Sequence, residues 1–348
     1  MHMGKKYIGY AGTYTRKSSK GIYRFTLDIE TGTLSHVEVA AEVGSPTYLS
    51  ISEDNRNLYA VAQQDQMGGV HAYEADRETG SLKFINKQLT EGTPPCHLQV
   101  HNNKLVTGNY HKGEVELLHV KGQGGVELAS SIHHEGNGPH ERQEKSHVHF
   151  SGATPDGKYV VVCDLGTDEL ATYQIENNKL EHVHTLKVKP GSGPRHITFH
   201  PDGKTAYLMT ELSSEVIVLD YDSEQGRFTE KQTIRAIPED FTETNDASAI
   251  HISSDGRFVY TGNRGHNSIA LFRVDEASKE LTFVEHTSTG GDWPRDFTLD
   301  PSEQFVIASN QHTGNLVLFA RDVETGKLTN TGSTVDVPEV VCVKFLGE

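Results

Sequence analysis

The sequence predicts an all-β protein: a seven-bladed β-propeller, four antiparallel strands per blade, with the N- and C-terminal strands sharing one blade. Three observations predict it. First, an apolar run, a polar turn and a second apolar run recur through the 348 residues. The spacing is roughly 48 residues, the range of four-stranded propeller blades. Second, each pair of runs is followed by further short runs rich in Val, Ile, Tyr, Phe and Thr, bounded by Gly, Asp and Asn, which read as strands. Third, the last unit is incomplete, and its missing strands stand at the other end of the chain.

The units follow in order. "GSPTYLSISEDNRNLYAVAQ" opens at Gly44 and "GTPPCHLQVHNNKLVTGNY" at Gly92. "KSHVHFSGATPDGKYVVVCDLG" opens at Lys145, and "GSGPRHITFHPDGKTAYLMTE" at Gly191. "NDASAIHISSDGRFVYTGNRG" opens at Asn245, and "GGDWPRDFTLDPSEQFVIASNQ" at Gly290. Third strands such as "GGVHAYEAD", "SEVIVLDYD" and "NSIALFRVD" follow, then fourth segments such as "LKFINKQLT" and "LTFVEHTST". Between third and fourth strands, "DIETGTL", "DRETGSL" and "DVETGKL" share an Asp-x-Glu-Thr-Gly pattern. It suits a tight hairpin whose Gly takes a positive φ. No window carries a convincing helical period.

Six units are whole. For the seventh, "VPEVVCVKFLG" supplies a first strand, and the N-terminal "KKYIGYAGTYT", "GIYRFTLD" and "LSHVEVAAE" supply the other three. Closing the ring within one blade removes the exposed sheet edges. Residues 1–348 are therefore read as a single domain, long enough to bury a sizeable core.

Composition excludes several roles. The formal net charge is −16 with no basic run, so the overall field repels nucleic acid and acidic membranes. No stretch of about 18 apolar residues occurs, so no membrane span is expected. Three scattered cysteines without a CxxC pair point to a reducing, cytoplasmic setting. P-loop, GxGxxG and GxSxG patterns are absent, so neither a nucleotide cofactor nor Ser-His-Asp hydrolysis is expected. The stretch 131–150 holds five histidines but no HExxH and no obvious third ligand, so no metal is expected.

First strands of propeller blades line the central channel, so ring-related slots can be compared. The slot after the recurring Pro holds Thr47, Cys96, Arg195 and Arg295. One step on stand Tyr48, His97, His196 and Asp296, with His149 at the matching place in the third unit. Second strands end at Gln63, Leu165, Glu211, Arg264 and Gln311. Glu211 and Arg264 hold equivalent slots of neighbouring blades and are expected to meet across the channel. The candidate site is therefore Arg195, His196, His149, Glu211 and Arg264, with His97, Arg295 and Gln311 as further substrate contacts. Plainer roles compete: Asp156, Asp202 and Asp255 are turn formers, and Arg264 with Glu211 is also readable as a structural ion pair. For Arg295 the plainer role is pairing with Asp296 or stacking on Trp293. Two long polar connections, His134 to Lys145 and 237–248, are expected to wall the site.

The stretches "YIGYAGTYT" (Tyr7–Thr15), "GSPTYLSIS", "SHVHFSGATPDGKYVVVCDLGTD", "GPRHITFHPDGKTAYLMTEL" and "VYTGNRGHNSIALF" resemble the seven-bladed lactonase family. That family contains cytosolic propeller-type 6-phosphogluconolactonases and fungal carboxy-muconate lactonising enzymes. The resemblance covers essentially the whole chain. It implies a site of His149, Arg195, Glu211 and Arg264, and hydrolysis of 6-phosphoglucono-1,5-lactone in the pentose phosphate pathway, with a small anionic lactone as partner. A muconate-type cycloisomerase, another sugar lactonase, or a non-catalytic propeller binding an anion or a protein are the alternatives. A monomer or weak homo-oligomer is expected. A carboxylate near two guanidinium groups should be ionised and weakly basic, which favours His149 over Glu211 for activating water.

Overall fold

The apolar runs of the sequence become 28 β-strands in a computed structural model, which describes residues 5–347. They form seven four-stranded antiparallel sheets, and among the described residues there is no helix. Six blades use consecutive strands: β4–β7 (Leu49–Glu91), β8–β11 (His97–His133), β12–β15 (Val148–Lys187), β16–β19 (Pro194–Arg235), β20–β23 (Asp246–Ser288) and β24–β27 (Pro294–Asp336). The seventh runs β28-β1-β2-β3, joining Val340–Phe345 to Lys6–Thr13, Gly21–Asp28 and Thr33–Glu42.

The turns carry the chemistry that the sequence predicts. Gly32, Gly80 and Gly326 of the Asp-x-Glu-Thr-Gly hairpins have φ of 61°, 68° and 74°, where a Cβ would be strained. Asp28, Asp76 and Asp322 each accept the N–H groups two and three residues on, at 2.7–3.1 Å. Asp156, Asp202 and Asp255 likewise accept the N–H two residues on, at 3.2, 2.8 and 3.0 Å.

Apolar side chains gather into seven buried clusters, one for each seam between neighbouring blades. Burial of each Val, Leu, Ile or Phe contributes about 1.5–3 kcal/mol, so the ring is held by many seams rather than one centre. Strand β28 serves two of them. Val340 and Val343 join the seam to the sixth blade, while Cys342 and Leu346 join the seam to the first. Just before β28, the Glu339 carboxylate accepts the N–H groups of Arg16, Lys17 and Ser19 at 3.1, 2.9 and 3.4 Å. Its carbonyl accepts the N–H of Tyr14 at 3.1 Å. The closing strand therefore also fixes the loop after β1.

Candidate active site

The first strands run along the channel between two cavities. One, of about 470 Å³, is lined by residues that include Tyr14, Arg16, Cys96, Tyr110, Arg142, His149, Glu211, Arg264 and Arg295. Three bulges build it. Strand register shifts between Val148 and Phe150, between Pro194 and His196, and between Pro294 and Asp296. The residue left over in each case is His149, Arg195 or Arg295. An extra residue bends its strand and re-aims the side chain, so three blades present a polar group at the same level.

Glu211 is the hub. It follows β17 (Thr205–Thr210), donates its N–H to Gly193 O at 2.8 Å and accepts from Ala247 N at 3.2 Å. Its backbone thus pins two blades together. Oε2 receives Arg195 Nε at 2.9 Å and Arg264 Nη2 at 2.8 Å, and His149 Nε2 lies 3.9 Å away. Arg142 Nη2 donates to Oε1, while its Nη1 reaches Asp246 Oδ1 at 2.9 Å. Arg264 is held further by carbonyls, with Nε to Asp246 O at 3.1 Å and Nη2 to Ala247 O at 3.0 Å. His149, Arg195, Glu211 and Arg264 are all buried.

Electrostatics separate their roles. Burial alone would raise the Glu211 carboxyl, but Arg264 and Arg195 overcome it and hold the group well below the usual value. It stays a carboxylate and is a poor base. Burial drives the His149 imidazole well below 6.5, with Arg195 adding to the effect, so the ring is neutral at pH 7. Burial, helped by Arg264, brings Arg195 down to about 10, still a cation at neutral pH. Its Nη1 is buried without a partner. The Cys96 thiol is pushed up to about 11 by burial, which leaves it inert as a nucleophile. Among the described residues, Arg16, Arg142, Arg264 and Arg295 line the cavity with Arg195 bound to Glu211 behind them, and Glu211 is the single lining carboxylate, with Asp246 behind Arg142. A local cationic surplus therefore stands in a protein of net charge −16.

Residues 8–345 match the family described as Lactonase, 7-bladed beta-propeller. The chain belongs to this lactonase family. It is 52% identical over 344 residues to a Bacillus subtilis protein named 6-phosphogluconolactonase, covering 98% of this chain and 99% of that one. A crystal structure of a Lactobacillus plantarum protein superposes with a TM-score of 0.95 at 40% identity, covering 98% of this chain and 99% of that chain. A Pseudomonas aeruginosa structure titled periplasmic gluconolactonase gives 0.92 at 32% identity, over 98% and 99% of the two chains.

In this lactonase-family ring, not every slot expected at the site lies beside Glu211. His97 and His196 line the second cavity, at the far end of the channel. One step along a strand turns a side chain to the other face, so Arg195 and His196 part company at the bulge. Gln311 donates its N–H to Trp293 O at 3.0 Å, and the arginine-lined cavity does not include it among the described residues. Arg295 takes neither of the plainer roles. Its guanidinium lies 5.6 Å from the Tyr14 ring, whereas Trp293 stacks on His312, and Asp296 accepts the N–H of Val343. The five histidines of 131–150 disperse: His147 stacks on Tyr110 and meets Glu144, and His134 meets Asp164 and Tyr173.

Sequence reasoning missed Arg142, Tyr14 and Arg16. Arg142 sits in the long connection after His134, expected to border the site, but an insertion has no ring-related slot to index it by. The loop is tethered: Gln143 Nε2 donates to Leu165 O at 2.8 Å, and its Oε1 accepts from His140 N at 3.0 Å. The expected second wall, 237–248, does not line the cavity among the described residues. Instead it sends Asp246 behind Arg142, and the facing wall is the Tyr14–Arg16 segment.

Proposed function

We propose that the protein is a lactone hydrolase acting on 6-phosphoglucono-1,5-lactone, releasing 6-phosphogluconate in the pentose phosphate pathway. One observation carries the reading. A neutral histidine stands beside a carboxylate saturated by guanidinium groups, in a cavity with positive charge to spare. The name of the Bacillus subtilis relative supports the same substrate.

In the proposed reaction His149 takes a proton from water as the oxygen bonds to the lactone carbonyl carbon. Negative charge moves to the carbonyl oxygen, where Arg264 and the unpartnered Nη1 of Arg195 stabilise it. The ring C–O bond then breaks, and the imidazolium returns its proton to the departing ring oxygen. The acid formed ionises to the carboxylate. Glu211 holds Arg142, Arg195 and Arg264 in place and does not itself take the proton. Arg295, with no carboxylate partner among the described residues, and the exposed Arg16 flank Tyr14 at 5.6 and 4.0 Å. They form the phosphate end. The cytoplasm, where this substrate is made, is the proposed location, consistent with the free thiols of Cys96, Cys163 and Cys342.

The test is an assay that generates the phosphorylated lactone in situ and times its loss against an enzyme-free blank. Wild type is expected to exceed the blank clearly, and His149→Ala to lose about 100-fold or more, the usual worth of a positioned base. A wild-type rate equal to the blank overturns the reading.

A further inference from the structure

The second cavity, of about 410 Å³, lies at the opposite end of the channel and takes no part in the proposed hydrolysis. Its polar wall comes from the first strands of several blades: Tyr48, His97, His196, His251 and Lys344. Lys344 is the single charged residue on that wall, and no carboxylate lines it among the described residues. Among the described residues the Lys344 ammonium hydrogen-bonds only Tyr48, with the hydroxyl at 3.4 Å and the ring centroid at 4.7 Å, and the Asp296 carboxylate helps to hold it charged. Asp296, whose field Lys344 feels, is set back from the wall and accepts the Val343 N–H at 3.0 Å.

The imidazoles point the same way. His97 Nδ1 accepts the Ser151 N–H at 3.3 Å, so the neutral ring must carry its proton on Nε2. His196 is only 6% exposed, and its Nε2 is buried without a partner. His251 Nε2 is also without a hydrogen bond, with Asp296 Oδ1 at 3.7 Å. A buried polar group left unmet is costly, so it calls for a partner. A wall with one cation, a His97 N–H aimed inward, an unmatched ring nitrogen on His196 and no lining anion among the described residues is complementary to an oxyanion.

We infer that this far cavity is a binding site for a small oxyanion, a phosphate or a carboxylate, separate from the arginine-lined cavity. Lys344 supplies the charge, His97 supplies a directed N–H donor, and the unmatched Nε2 of His196 donates when its proton sits there. Only one layer of rings divides the two cavities, since His196 lies 5.4 Å from His149 and 5.3 Å from His97, centroid to centroid. Among the described residues the two cavities share no lining residue, so the site stands even if the lactone reading falls.

The test uses full-length protein labelled with ¹⁵N-histidine, titrated with inorganic phosphate and separately with gluconate. Ring resonances of His97 and His196 are expected to move saturably with at least one probe, and which probe moves them distinguishes phosphate from carboxylate. Lys344→Met is expected to weaken that response about tenfold or more, the scale of one charge-assisted bond. Arg295→Gln, at the other cavity, should leave it intact. Wild-type rings unmoved by either anion at millimolar concentration overturn the inference. So does a response that survives Lys344→Met unchanged, or one that Arg295→Gln abolishes.

Discussion

Arg264 Nη2 stands 2.8 Å from Glu211 Oε2, across the seam between two neighbouring blades. The same guanidinium also donates to the carbonyls of Asp246 and Ala247. This fork requires a planar group with several fixed donors, which lysine lacks. Arg264→Lys is therefore expected to lower kcat/KM about tenfold or more while keeping the charge, the scale of one or two charge-assisted bonds. Near-normal kcat/KM for the phosphorylated lactone would count against the site.

The pH dependence follows from His149. Its folded-state pKa is depressed by burial and by Arg195, so the neutral, proton-accepting form persists as pH falls past 6.5. After subtraction of the uncatalysed rate, kcat/KM should stay flat from neutral pH down through 6.5. The acid limb should appear only well below that value. An acid limb centred at 6.5 or above contradicts the buried, neutral ring.

Arg295 is separable from the chemistry. Arg295→Gln removes a cation that lies next to Tyr14 and forms no ion pair among the described residues. It is expected to cut kcat/KM for the phosphorylated lactone about tenfold or more. For glucono-1,5-lactone, which lacks the phosphate, little change is expected. Equal losses on both substrates would remove Arg295 from the phosphate end.

Much of this architecture was legible in the sequence because a propeller repeats, and a repeat turns linear position into angular position. Glu211 and Arg264 could be paired in advance since both end second strands of adjacent blades. The same indexing failed at Arg195 and His196, because register alone does not reveal a bulge. The two adjacent residues proved to serve opposite ends of the channel. Arg142 was out of reach for another reason. It lies in an insertion peculiar to one blade, so only the length of the connection marked the region. Tyr14 and Arg16 belong to the split blade, whose loop is set by a strand more than three hundred residues later in the chain.

Ring closure gives a stability prediction. Deleting residues 339–348 removes β28 and with it Val340, Cys342, Val343 and Leu346 from two seams. At about 1.5–3 kcal/mol for each of the two valines and the leucine, that loss is comparable with the about 5–15 kcal/mol of a whole domain. It also bares β1 as an edge. The shortened protein is expected to aggregate and to lose its cooperative thermal transition. A monomer by size-exclusion chromatography with wild-type melting would show that the ring closes without this strand.

The grip of Glu339 on the backbone of Arg16, Lys17 and Ser19 also couples two distant parts of the ring. The loop bearing Tyr14 and Arg16 is held on one side by Ser45, which donates its N–H to Thr15 Oγ1 at 3.0 Å, and on the other by Glu339, the residue next to the closing strand. Loosening the join between the two ends of the circle would therefore slacken one lip of the arginine-lined cavity as well.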